Sequence, residues 1–388
     1  MSLGSVRVLG RRAILIMLSA TLASCGSGSP SRGGGLQPPP APNEILYTSG
    51  WSQVTAFSIN TSTGALSQTA AVTESNNTVG VVAAPSASFL YFSNKSTGID
   101  GFTIGPTGTL SPIDGSPWPG PSSYYGGGLA MDPAGKFIYA ASGVSPGSVA
   151  GFTVSAATGA LTAMTGSPFS VGLAPIQPVV DPSGKFLYVT DEVDPQGGIF
   201  AFGINPSTGV LTSIPGSPFP TLPQAQPQGL VTDPSGKFLY ASLFADYSIA
   251  AFTIDSTTGA LTSVAGSPFP TGTGSGSAWL FDSITMDPSG KFLYALSSSS
   301  SSVVSVFTID SSSGGLTPVA GSPFSATPST ISGGLAVDPS GNFLYIAGGN
   351  ASFILPMSID RTTGALTPLP VVPLGTNFPT NLTIALVP

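Results

Sequence analysis

Asp233-Pro-Ser-Gly-Lys-Phe-Leu-Tyr240 decides the fold, because it does not occur once. With at most two changes it returns at 132–139, 181–188, 287–294 and 338–345, and degenerate forms stand at 84–91 (APSASFLY) and at Ile45-Leu46-Tyr47. The seven tyrosines so placed, at 47, 91, 139, 188, 240, 294 and 345, are 44 to 54 residues apart. A second segment follows each tyrosine, clearest as Ala251-Phe-Thr-Ile-Asp-Ser-Thr-Thr-Gly-Ala-Leu261, and it reappears around Phe57, Phe102, Phe152, Phe202, Phe307 and Met357. A third, Gly-Ser-Pro-Phe/Trp, closes five units at 115–118, 166–169, 216–219, 266–269 and 321–324.

Each unit parses into four short strands: an apolar run such as Gly334-Leu-Ala-Val337, then Phe-Leu-Tyr, then Ala-Phe-Thr-Ile, then Leu-Thr-x-Val. The turns between them are specified chemically. In Asp-Pro-Ser-Gly the Asp is a side-chain acceptor, Pro presets φ, and Gly stands where φ becomes positive. The Thr-Thr-Gly and Ser-Thr-Gly steps make the second hairpin turn, with Gly at a bulge. Units of this length with four antiparallel strands predict a seven-bladed β-propeller. The chain enters at a second strand (Glu44–Tyr47) and ends in Leu382-Thr-Ile-Ala-Leu-Val387, an unpartnered first strand. The C-terminal strand is therefore expected to complete the N-terminal blade, hiding two edges at once.

The composition agrees. Gly (50) and Pro (38) are abundant in the 388 residues and only 7% are charged, which argues against a helical chain, while 41% hydrophobic residues argue against disorder. With no histidine and one cysteine, intrachain disulfides, Ser-His-Asp triads, Cys-His pairs and His-ligated metals are excluded.

Residues 1–24 read as a signal peptide: Arg7, Arg11 and Arg12 precede the apolar run Ala13–Ala23, which is too short to span a bilayer. The run ends in Leu22-Ala23-Ser24-Cys25, which resembles a bacterial lipobox and predicts lipid attachment at Cys25. Residues 25–43 are a Gly/Ser/Pro-rich tether and 44–388 the propeller. The expectation is a monomer in the cell envelope, lipid-anchored at the outer membrane or cell surface. Loss of the three signal arginines leaves 7 basic and 17 acidic residues, a net charge of −10, which argues against nucleic acid as a partner.

Blade geometry sorts the loops into two poles. Turns between strands one and two, and three and four, lie at one pole and repeat closely. Loops between strands two and three, and between blades, lie at the other and vary, as binding loops on a rigid scaffold do. Asp132, Asp181, Asp233, Asp287 and Asp338, with Asp255, Asp310 and Asp360, are turn acceptors of the first pole. The off-template acids are assigned to the variable pole: Asp191, Glu192 and Asp194 after Tyr188, Asp246 one blade later, and Asp282 at the head of the next first strand. Such carboxylates suit Ca²⁺ or Mg²⁺ coordination, assigned to Asp191, Glu192 and Asp194, or activation of water, assigned to Asp246 and Asp282. Tyr124, Gln177, Gln228 and Trp279 offer aromatic and amide groups for a sugar-like ligand.

The Asp-Pro-Ser-Gly-Lys-Phe-Leu-Tyr turn and the Phe-Thr-Ile-Asp-x-x-Thr-Gly-Ala-Leu hairpin resemble the lactonase-type seven-bladed propellers, which include the 6-phosphogluconolactonase-like proteins. The resemblance covers residues 44–388 and implies hydrolysis of a sugar lactone. Enzymes it resembles carry His and Arg near their inner strands, where this chain has Gly128, Gln177, Gly229, Ser283 and Gly334. The alternative is a non-catalytic propeller binding a glycan, peptide or protein at its variable pole.

Overall fold

A computed structural model describes residues 43–387 except 51–52, 74–77, 96–97, 121–126, 194–197, 273–283, 298–301, 328–330 and 332. The signal peptide, Cys25 and the tether up to residue 42 lie outside the described residues. Seven antiparallel sheets follow one another along the chain, each with four strands running from an inner to an outer edge. In blade four these are Pro175–Val180, Phe186–Asp191, Gly198–Ile204 and Leu211–Ser213.

Blade one is assembled from both ends of the chain. Its order is Leu66–Thr73, Gln53–Ile59, Asn43–Gly50 and, innermost, Pro379–Val387. Asn43 faces Val387, Tyr47 faces Thr383 and Thr48 faces Leu382. The predicted closure is therefore the observed one, beginning one residue earlier than Glu44.

The repeat motifs join blade to blade. Each Phe-Leu-Tyr tyrosine is buried and, in six blades, donates its hydroxyl to the carbonyl of the Thr/Ser-x-Gly-type turn in the next: Tyr91 to Gly159 (2.7 Å), Tyr139 to Gly209 (2.7 Å), Tyr188 to Gly259 (2.9 Å), and, around the seam, Tyr345 to Gly64 (3.1 Å). The phenylalanine two residues before the tyrosine packs on the same turn. At Gly259, with φ of +74°, a Cβ would lie 2.5 Å from Phe186, so both the conformation and the contact require glycine.

The outer edge differs from the expected single fourth strand. Leu-Thr-x pairs for only three residues, and after a tight turn through Gly-Ser-Pro the aromatic residue resumes pairing with the same third strand, as Phe219–Pro220 does with Gly198–Ile204. The break leaves one third-strand amide without a strand partner. The serine of Gly-Ser-Pro accepts it in all five copies: Ser116 from Gly101, Ser167 from Gly151, Ser217 from Ala201, Ser267 from Ala251 and Ser322 from Val306, at 2.9–3.0 Å. A buried amide needs a partner, and this is why the motif recurs.

Candidate functional site

Every inner strand contributes to one cavity of about 220 Å³, which therefore lies on the propeller axis. Its wall is mostly backbone and aliphatic, with Gly80, Gly128, Leu230 and Leu382, and its polar side chains are uncharged: Gln177, Thr285 and Asn381. Asn381 is held by its Nδ2 donating to the Val79 carbonyl (2.9 Å) and its Oδ1 accepting from the Leu382 amide (3.1 Å). Gln177 Nε2 donates to the Pro178 carbonyl at 3.3 Å, but its Oε1 is buried with no donor. That oxygen occupies space only a glycine at 128 leaves, since a Cβ there would stand 2.2 Å away.

Toward the variable pole a chain of bonds links this wall to a carboxylate. The Gln177 main-chain N–H donates to Thr190 Oγ1 (3.1 Å), and Thr190 donates to the main-chain carbonyl of Gln228 in blade five (2.8 Å). Gln228, 5% exposed, donates Nε2 to Glu192 Oε1 (3.1 Å). The sequence thus brings Gln177, Gln228 and Glu192 together across one blade seam.

Asp191 is 0% exposed and points back into the fold. Its carboxylate accepts from the amides of Leu173 (2.5 Å), Ala174 (3.1 Å) and Val193 (3.1 Å), tying the blade-three-to-four connection to the loop that carries Glu192. The Glu192 amide in turn donates to the Ala174 carbonyl (3.2 Å), so its backbone is fixed on both sides. Oxygens so engaged by amides are poorly available to a cation. Among the described residues no group of three or more His, Cys, Asp or Glu converges as a metal site, and Asp194 lies outside them. Asp191 and Glu192, the described members of the predicted set, do not by themselves form a ligand shell for Ca²⁺ or Mg²⁺.

Asp246 is exposed on the blade-five loop between Leu243 and Ser248, apart from the bonded chain. Tyr124, Trp279 and Asp282 lie outside the described residues. The turn acids behave as expected: Asp181 Oδ1 accepts from the Lys185 and Phe186 amides at 2.8 Å, and Asp255 Oδ1 from Thr257 (2.9 Å) and Thr258 (2.8 Å).

Two charged residues of blade two escaped the sequence reading. Asp100, in the third strand Gly98–Ile104, is buried and accepts from Asn94 Nδ2 at 3.2 Å; burial raises its carboxyl above the usual range, an effect that Asn94 opposes. Lys95 follows the second strand at the variable pole, and burial lowers its ammonium. The signal was a charge inside a third strand that is uncharged in the other blades, where the equivalent positions are Thr55, Ala150, Phe200, Ala250, Ser305 and Leu355.

A family model described as lactonase, seven-bladed beta-propeller, matches residues 121–221, 174–276, 217–332 and 271–378, overlapping stretches that run from 121 to 378. No curated protein sequence matches. Among solved structures the chain is similar to a candidate 6-phosphogluconolactonase from Bacteroides fragilis, at 22% identity over 92% of this chain and 100% of that one, with a TM-score of 0.73. It is also similar to a periplasmic gluconolactonase from Pseudomonas aeruginosa, at 19% identity over 89% of this chain and 100% of that one, TM-score 0.73. A protein from Lactobacillus plantarum matches at 19%, over 89% and 99%, with the same score. At such identities the likeness is one of fold.

Proposed function

The chain belongs to the lactonase family of seven-bladed β-propellers, and from that premise we propose that it hydrolyses a lactone at the variable-pole end of its axial cavity, with Glu192 as the base that activates water. The observation that carries this reading is the bonded run from the cavity wall to Glu192 through Gln177, Thr190 and Gln228. Glu192 is the described carboxylate with one oxygen held by an inner-strand side chain and the residue itself part-exposed to solvent. A general base needs a fixed direction and access to water, and it contributes ~10²–10⁴ in rate.

In the proposed reaction Glu192 takes a proton from water, and the water oxygen bonds to the lactone carbonyl carbon. The carbonyl becomes an oxyanion, for which Asn381 Nδ2 keeps a second N–H besides the one given to Val79. Collapse breaks the ring C–O bond, and the proton held on Glu192 passes to the departing ring oxygen. The product is the open hydroxy acid. Of the two residues expected from the sequence to activate water, Asp246 is exposed on the blade-five loop, and Asp282 precedes Ile284 of the cavity wall by two residues in sequence. The Leu22–Cys25 sequence supports a lipid-anchored place in the cell envelope for this activity.

The test is a pH-stat assay on a panel of sugar lactones. Glu192→Gln keeps an acceptor for Gln228, so the fold stands; kcat is expected to fall at least ~100-fold with little change in KM. Absence of turnover by the wild-type chain on every lactone overturns the reading.

A further inference from the structure

We infer that the axial cavity selects a small, uncharged, hydroxyl-bearing ligand, with Gln177 as the residue that determines this specificity. The inference rests on the lactonase reading for the site's use and adds the class of molecule it takes.

Size comes first. A cavity of about 220 Å³ lies below the ~300–1,000 Å³ of sites for drug-sized ligands, so it suits a single ring and not an oligosaccharide or peptide.

Charge comes next. Beyond residue 42 the chain has six basic residues. Lys136, Lys185, Lys237 and Lys291 belong to the strand-one-to-two turns and Arg361 to a strand-three-to-four turn, all at the pole opposite the variable loops; Lys291 Nζ there donates to the Arg361 and Thr362 carbonyls. Only Lys95 remains, and it does not line the cavity. The stretches 121–126, 194–197 and 273–283 contain neither Lys nor Arg. A phosphate or carboxylate entering the cavity would lose its hydration and gain no counter-charge, while Glu192 and Asp246 stand at the same pole.

The third observation gives the ligand a positive requirement. Gln177 Oε1 is buried without a donor, and the bond from Nε2 to Pro178 fixes which end of the carboxamide it is. An acceptor left unsatisfied raises the free energy of the empty site, and turning toward a donor in the cavity recovers it. A hydroxyl can donate, whereas a phosphate dianion or carboxylate only accepts. Gly128 leaves the space that the carboxamide fills beside the cavity.

The experiment uses the full chain and three probes: glucono-1,5-lactone, its 6-phosphorylated counterpart, and myo-inositol, a cyclic polyol with no ester to hydrolyse. Calorimetry is expected to show inositol binding, and inositol to inhibit lactone turnover competitively. The ratio kcat/KM is expected to favour the unphosphorylated lactone by about tenfold or more, and Gln177→Leu to weaken inositol at least about tenfold with its thermal midpoint retained. Should that variant misfold, Gly128→Ala displaces the same carboxamide and is expected to weaken inositol likewise. Preference for the phosphorylated lactone, or undiminished inositol binding when the carboxamide is removed or displaced, overturns the inference. If inositol binds through Gln177 while no lactone is turned over, the ligand class stands and the hydrolase reading falls. If lactones are hydrolysed with the phosphorylated one preferred, the reverse holds.

Discussion

Glu44 and Asp191 show how far a single carboxylate can be read from its neighbours in sequence. The turn aspartates were legible because their donors are the next two to five residues, as with Asp181 and the Ser183 amide (3.0 Å). Asp191 was not, since two of its donors, Leu173 and Ala174, arrive from eighteen and seventeen residues earlier. Gln177 and Gln228 were legible as amides within otherwise apolar first-strand runs. Glu44 is buried beside Asp338 with Oε2 unpartnered; burial first, and the Asp338 charge second, raise its carboxyl above the ordinary value. The sign follows from linkage. The unfolded chain releases this proton near pH ~4.3, the folded chain only at higher pH, so stability falls as pH climbs from the first value through the second. Glu44→Gln removes that loss. Its thermal midpoint is expected to exceed the wild type by about 1–3 °C at pH 7 and to match it at pH 3, read from melting curves across that range.

At the scale of the element, the repeats disclosed the strands but not what ties one blade to the next. Composition and spacing place Tyr188 in a second strand; only the ring of blades reveals that its hydroxyl is spent on Gly259, seventy-one residues on. The Gly-Ser-Pro serines were equally opaque, because their partner amides belong to a break in pairing that no alternation of apolar residues announces. One tyrosine departs from the rule: Tyr294 is fully buried and its hydroxyl has no acceptor. Tyr139→Phe, which strips the Gly209 carbonyl of its donor, is expected to cost ~1–3 kcal/mol. Tyr294→Phe removes a hydroxyl that has gained no bond, and its urea midpoint is expected at or above that of the wild type. Equal losses in the two variants would mean that the interblade bonds carry no weight.

For the molecule as a whole, closure was the most legible feature, since a chain that starts on a second strand and ends on a first leaves only one way to finish a ring. The axial cavity was less so: its wall takes residues from seven separate units, and which of them project inward depends on register. Deleting 379–388 strips blade one of its inner strand and bares the edge of Asn43–Gly50, with Leu46 packed at 0% exposure in the intact fold. The shortened chain is expected to associate through that edge and to lose its near-ultraviolet circular dichroism, measured beside size-exclusion elution.

Asn43 and Val387 face each other at the turn pole, where other blades bear an Asp-Pro-Ser-Gly corner. The seven blades thus form a loop of chain with one corner cut, and the position of the cut is arbitrary. A four-residue corner grafted between Val387 and Asn43 would let the gene be opened at Asp233–Lys237 instead. Chain that joins Asn43 or follows Val387 therefore meets the blade on the side away from the cavity's variable rim.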